Sequence, residues 1–83
     1  MSTNDNYNKI KSVISEKFGV TDNLITPEAK LTEDLNLSYL EVADLLSLMA
    51  KEFNFQIPED VNLENILTVS DITSIVEQYA DEL

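Results

Sequence analysis

The feature that most limits how this sequence can fold is a helix-start signal near the middle of the chain. Ser38 is followed three residues later by Glu41 and then by a run of mostly apolar residues. This is the spacing of a capping box, in which the Ser38 oxygen accepts a hydrogen bond from the N–H of Glu41. The Glu41 carboxylate in turn accepts one from the N–H of Ser38. The pattern predicts a helix that starts at Ser38 and covers residues 40–53.

Two further amphipathic helices are predicted, one on each side of this central helix. Apolar residues recur at spacings of three and four over residues 7–18, and Gly19 follows as a left-handed C-terminal cap. Residues 68–71 repeat the cap spacing ahead of a final apolar stripe, and residues 63–67 suit one or two helical turns. No segment alternates with strand period, so the predicted fold class is all-α: a small bundle of three main helices plus one short helix.

The connection between the first two helices, residues 19–37, is long, which suits helices that run nearly parallel. We expect it to be pinned by apolar side chains and to contain a turn at Pro27. The expected anchors are Val20, Leu24, Ile25, Leu31, Leu35 and Leu37. The predicted inward stripe of the central helix consists of Leu40, Ala43, Leu45 or Leu46, Met49 and Phe53.

Length and composition indicate one small soluble domain. The 83 residues are treated as a single domain, 1–83, in which the polar residues 1–6 are expected to be disordered. No cysteine is present, and no apolar run approaches the roughly 20 residues that span a bilayer. The first residues also lack the apolar centre of a signal peptide. We therefore expect a cytoplasmic protein, and a monomer.

The net charge and its distribution along the chain favour some kinds of binding partner and argue against others. The chain has 16 acidic residues, 5 lysines and a net charge of −11. Four acids and four lysines cancel within residues 1–30, so the whole net charge falls on residues 31–83, where Lys51 is the only cation. This distribution argues against nucleic acid and against an anionic membrane surface. It favours the basic surfaces of partner proteins, although the acids could simply provide solubility.

The residue types give little support for catalysis. The sequence has no histidine, cysteine or arginine, and a domain of this size has no evident room for a carboxylate pair across a substrate cleft. Residues 60–71 imitate a calcium loop weakly, but the sixth position is not glycine and the twelfth, Asp71, is too short for the usual bidentate ligand. We predict neither an enzyme nor a metal site.

The central stretch resembles a known family signature. Glu33-Asp34-Leu35, then two residues, a polar pair, Leu40 and an acid are similar to the glutamate-aspartate-leucine-glycine-x-aspartate-serine-leucine signature of acyl carrier proteins. The similarity continues through Leu45, Glu52-Phe53 and Ile57-Pro58. It implies a helical bundle whose second helix docks on enzymes, in fatty acid or polyketide and peptide-type synthesis.

One position departs from that signature. Tyr39 stands where the family has the serine that carries the 4′-phosphopantetheine arm, and Ser38 stands where the family has aspartate. Glu41 and Asp44 match family positions that meet basic patches, whereas Ala50 and Lys51 replace acids. Val42, Ser47 and Leu48 are further candidates for partner contact.

Three hypotheses remain open from the sequence. The first is an acidic docking module that acts through protein–protein interaction and has no prosthetic group. The second is a working acyl or aminoacyl carrier with 4′-phosphopantetheine on Ser38. The third is that Tyr39 simply replaces serine in an otherwise ordinary carrier. A shift of one residue rotates the attachment point by about 100° around the helix, which favours the first hypothesis over the second.

Overall fold

The computed structural model describes residues 3–80, which form three α-helices and two single turns of 3-10 helix. Within these residues the only β-type pairing is one isolated antiparallel bridge, between Lys30 and Thr68. The predicted all-α fold is confirmed, and the predicted short helix is the second 3-10 turn. The helices are α1 (Thr3–Phe18), α2 (Tyr39–Phe53) and α3 (Val69–Ala80), and the 3-10 turns are Asp22–Leu24 and Leu63–Asn65.

Helix α1 begins earlier than its apolar stripe predicts. It starts at Thr3, and Asn6 is buried one turn before Ile10 on the same face. Residues 3–6, where we expect disorder from the sequence, lie in this helix, and a polar residue on its buried face leaves no hydrophobic signal. Met1 and Ser2, which share that expectation, lie outside the described residues. At the other end, Gly19 has φ 69°, which confirms the left-handed cap.

The core draws on all three helices and on the connection between α1 and α2. Of the six anchors predicted in that connection, four are buried and Val20 is half-buried. Leu24 is the exception at 54% exposure, since it lies on a 3-10 turn and leaves the core position to Ile25. The buried apolar residues are Ile10, Ile14, Ile25, Ala29, Leu31, Leu35, Leu37, Val42, Leu45, Leu46, Met49, Ile66, Val69, Ile72 and Val76.

The same connection is bound to the start of α3 through its backbone. Leu31 N–H donates to the carbonyl of Leu67 at 2.8 Å, and Val69 N–H donates to that of Ala29 at 3.1 Å. The Tyr7 hydroxyl of α1 adds a third tie, donating to the carbonyl of Ile25 at 2.8 Å. These hydrogen bonds tie the long loop to α1 and to the start of α3. The residues that lead into α2 therefore have a fixed position.

Helix α3 has the predicted cap. The Thr68 Oγ1 accepts from the N–H of Asp71 at 3.2 Å, and the Asp71 carboxylate accepts from the N–H of Thr68 at 3.0 Å. The same carboxylate oxygen also accepts from the N–H of Leu67 at 2.8 Å. Asp71 therefore has a structural role. Within residues 3–80 no group of three potential ligands could hold a metal ion, and no helix is long and apolar enough to cross a membrane.

We predict that Tyr7→Phe lowers the free energy of unfolding by ~1 kcal/mol at neutral pH, because the Ile25 carbonyl loses its donor. Burial, and secondarily the Glu28 carboxylate, raise the pKa of the Tyr7 phenol. Folding therefore favours the neutral phenol, and this stabilisation is present below the unfolded pKa of about 10 and lost as pH rises through the higher folded pKa.

Urea denaturation at neutral and alkaline pH tests both parts of this prediction. In Tyr7→Phe the alkaline loss attributable to this group should be absent. The matched control is Tyr39→Phe, since the Tyr39 hydroxyl forms no hydrogen bond within the described part of the chain and its removal should leave neutral-pH stability unchanged. Equal stability of Tyr7→Phe and wild type at neutral pH would contradict the proposed tie.

Candidate docking site on helix α2

Helix α2 starts with the predicted capping box. The Ser38 Oγ accepts a hydrogen bond from the N–H of Glu41 at 3.2 Å, and Glu41 Oε1 accepts one from the N–H of Ser38 at 2.8 Å. Ser38 has φ −75° and ψ 167°, the extended geometry of an N-cap, so the first helical residue is Tyr39. The cap fixes the angular position of every later residue on the helix.

The turn that leads into this cap needs a left-handed residue. Asn36 has φ 61° and stands where the family signature has glycine. Ahead of it, Asp34 Oδ2 accepts from the N–H of Lys30 at 2.8 Å, and the buried Leu37 donates its N–H to the carbonyl of Leu31 at 2.9 Å. Asparagine is one of the few residues other than glycine that adopt this conformation routinely, so the turn is preserved despite the change.

The buried face of α2 corrects two predictions. Val42, predicted to contact a partner, is only 4% exposed and belongs to the core. Leu40, predicted to point inward, is 77% exposed. The two residues are about 200° apart around the helix, so they cannot share a face. The error arose because apolar residues occur on several sides of α2, which leaves the phase of the stripe ambiguous. Leu48 is half-buried and packs against the core, which limits its use as a contact.

The solvent-exposed face of α2 carries both apolar and acidic side chains. Leu40, Asp44 and Ser47 follow one another at spacings of four and three, so they form one outward stripe, and all three are exposed. Glu41 is exposed beside this stripe, and Tyr39 is 60% exposed at its start. The structure thus presents Glu41, Asp44 and Ser47 to solvent as predicted. Sequence reasoning missed Leu40 as an exposed residue, because apolar residues on several sides of α2 leave its buried face undetermined.

The two acids of this face carry uncompensated charge. Ion pairs within residues 3–80 join Lys9 to Glu52 at 3.1 Å and Lys30 to Glu33 at 3.2 Å, and neither involves Glu41 or Asp44. Lys51 continues the outward stripe near the C-terminus of α2, where a cation is favourable to the helix dipole. The negative field is therefore concentrated at the N-terminal half of the face.

Comparison with known proteins gives the family. No family model matches the chain. It is 43% identical over 72 residues to the acyl carrier protein of Thermotoga maritima, covering 87% of this chain and 88% of that protein. It is 35% identical over 79 residues to the acyl carrier protein of Karelsulcia muelleri (95% and 94% covered), and 33% identical over 73 residues to that of Helicobacter hepaticus (88% and 95% covered).

The fold and the capped second helix with its exposed acids define a small three-helix domain of the all-α class. The chain belongs to the acyl carrier protein family. Members of this family are carriers and not enzymes, and fatty acid synthesis is their usual role. They carry a 4′-phosphopantetheine group and interact with acyl-chain enzymes.

The resemblance to the family signature predicts attachment of that group at residue 39, which is the first residue of α2. This chain has tyrosine there, and the phenol oxygen of Tyr39 lies at the far end of an aromatic ring, where it does not match the aliphatic serine hydroxyl of the signature. The neighbouring Ser38 has an exposed hydroxyl, but its oxygen is engaged in the cap, and a phosphodiester there would lie close to the Glu41 carboxylate.

We predict that Ser38→Ala lowers the free energy of unfolding by ~1 kcal/mol, because the N–H of Glu41 loses its acceptor. Ser38→Asp restores the residue of the family signature and a good N-cap, so it should keep most of the stability. Thermal or urea denaturation of the three proteins measures the difference. Equal losses in both variants would show that the cap contributes nothing specific.

Asn36 gives a second prediction. Asn36→Gly should be at least as stable as the wild type. Asn36→Ala should lower the free energy of unfolding by roughly 1 kcal/mol, because the Cβ of alanine makes a positive φ sterically unfavourable. Denaturation midpoints at equal m-value test this. An alanine variant as stable as the glycine variant would mean that the turn can relax to a negative φ.

Proposed function

We propose that this chain is an acidic docking module of the acyl carrier protein family that binds basic surfaces of acyl-chain enzymes without a prosthetic group at the usual position. The observation that carries the proposal is the combination found at the start of α2. Glu41 and Asp44 are solvent-exposed, and the position that matches the attachment serine of the family signature holds an exposed tyrosine.

Electrostatics support the choice of partner. Glu41 and Asp44 have no ion-pair partner within the described residues, and the whole net charge of −11 arises from residues 31–83. Such a field raises the rate of association with a cationic surface and orients α2 toward it. Glu41 also closes the cap, because its carboxylate accepts a hydrogen bond from the N–H of Ser38.

A second candidate function is that of a working carrier with 4′-phosphopantetheine on Ser38. The exposure of Ser38 and the family membership favour it. Against it, the hydroxyl lies one residue before the family position and is therefore rotated by about 100° relative to the acidic face. An enzyme that finds its acceptor by docking on Glu41 and Asp44 would meet Tyr39 instead.

Intact mass measurement separates these functions. We expect no mass gain when the wild-type chain is incubated with coenzyme A and a broad-range phosphopantetheinyl transferase. Tyr39→Ser should gain one phosphopantetheine, mapped to residue 39, because the fold and the docking face already suit the transferase. A gain on Ser38 of the wild-type chain would establish the second function and remove the first.

The Tyr39→Ser protein also reports on docking. Adding Glu41→Gln and Asp44→Asn to it should lower the kcat/KM of modification roughly tenfold at low salt, and by less at high salt. The matched control is Glu16→Gln, which neutralises an exposed acid on α1 and should have no effect. Gln at 41 can still close the capping box, so helix stability is not confounded. Equal rates in all three proteins would contradict an acidic docking face.

A further inference from the structure

Two consecutive residues at the start of α2 expose large apolar side chains to solvent. Tyr39 is 60% exposed and Leu40 is 77% exposed. The other large exposed apolar residues of the described part of the chain, Leu24, Ile57 and Leu67, lie far apart in the sequence, in the connections between helices. Single exposed apolar residues are ordinary on a protein surface. An adjacent aromatic and aliphatic pair flanked by acids has instead the composition of an interaction hot spot.

Nothing in the fold accounts for the aromatic ring at this place. Tyr39 has no hydrogen bond, ring contact or ion pair within residues 3–80, and the only stacked pair there is Phe55 with Tyr79 at 6.2 Å between ring centroids. As the first residue of α2, Tyr39 projects back toward the N-terminal end of the helix. Its ring is therefore available to a protein that docks on this end.

The position of the ring determines what it would meet. An enzyme that acts on groups attached to an acyl carrier protein must have an opening opposite the attachment residue, through which the arm reaches the reacting atoms. Tyr39 matches that residue's place in the family signature, and the exposed Glu41 and Asp44 follow it two and five residues later on the same helix. A chain docked through its acids would therefore bring a rigid aromatic side chain to the mouth of the channel.

We propose that Tyr39, supported by Leu40, inserts into this opening, so that the chain blocks enzymes that bind acyl carrier proteins instead of delivering a substrate to them. The partner is a protein surface with a basic rim around an apolar channel mouth. This inference rests on the docking function proposed above. The acids orient the chain and raise its association rate. Burial of the Tyr39 ring contributes most of the binding free energy that favours a blocked channel over an open one.

Inhibition of a ketoacyl synthase that works on the acyl-loaded Thermotoga maritima carrier tests the proposal. We expect the wild-type chain to inhibit competitively with the loaded carrier. Tyr39→Phe keeps the ring and should inhibit within about twofold of wild type, whereas Tyr39→Ala should raise the inhibition constant by roughly tenfold or more. The matched control is Leu24→Ala, which removes an apolar side chain of similar exposure, 54% against 60% for Tyr39, from another element and should change nothing.

The outcomes distinguish this inference from the function on which it rests. Equal, salt-dependent inhibition by wild type and Tyr39→Ala would overturn the plug and leave docking intact. Absence of inhibition by the wild-type chain, with Tyr39→Ser readily modified by the transferase, would also overturn it while docking on the transferase stands. If Tyr39→Ser is folded by circular dichroism but not modified, the docking function itself fails.

Discussion

The reciprocal pair of hydrogen bonds between Ser38 and Glu41 is the constraint on which the rest of the site depends. It fixes the residue at which α2 begins, and a helix of 3.6 residues per turn then assigns every later side chain to a direction. Leu40 and Val42 are therefore about 200° apart, and packing against the rest of the bundle buries Val42 and leaves Leu40 in solvent. The same pair of hydrogen bonds engages the Ser38 hydroxyl.

The cap can have this effect only because the chain reaches it in a defined position. The 19–37 connection is held by its buried apolar anchors and by backbone hydrogen bonds to Leu67 and Val69 at the start of α3. Asn36 supplies the left-handed turn before the cap. Helix α2 is thus positioned by the loop before it and, through that loop, by the start of α3.

The sequence predicted the helices and their ends well, because caps depend on local chemistry that a short stretch contains. Ser38, Gly19 and the Thr68–Asp71 pair each specify their helix end with a few residues. It failed where the answer depends on tertiary packing. Several rotations of α2 about its own axis would bury apolar residues. Only packing against the other helices determines that Val42 is buried and Leu40 is exposed. The burial of Asn6 likewise has no hydrophobic signature.

The proposed functional role of Tyr39 is independent of its contribution to the stability of the fold. A side chain that is 60% exposed and contacts no polar or aromatic partner in the described residues contributes little to folding, so serine would suit this backbone equally well. The fold therefore does not require tyrosine there. Under the proposed function, a single exposed residue removes the attachment chemistry and leaves the docking surface unchanged, because Glu41 and Asp44 lie on the same helix and take no part in that chemistry.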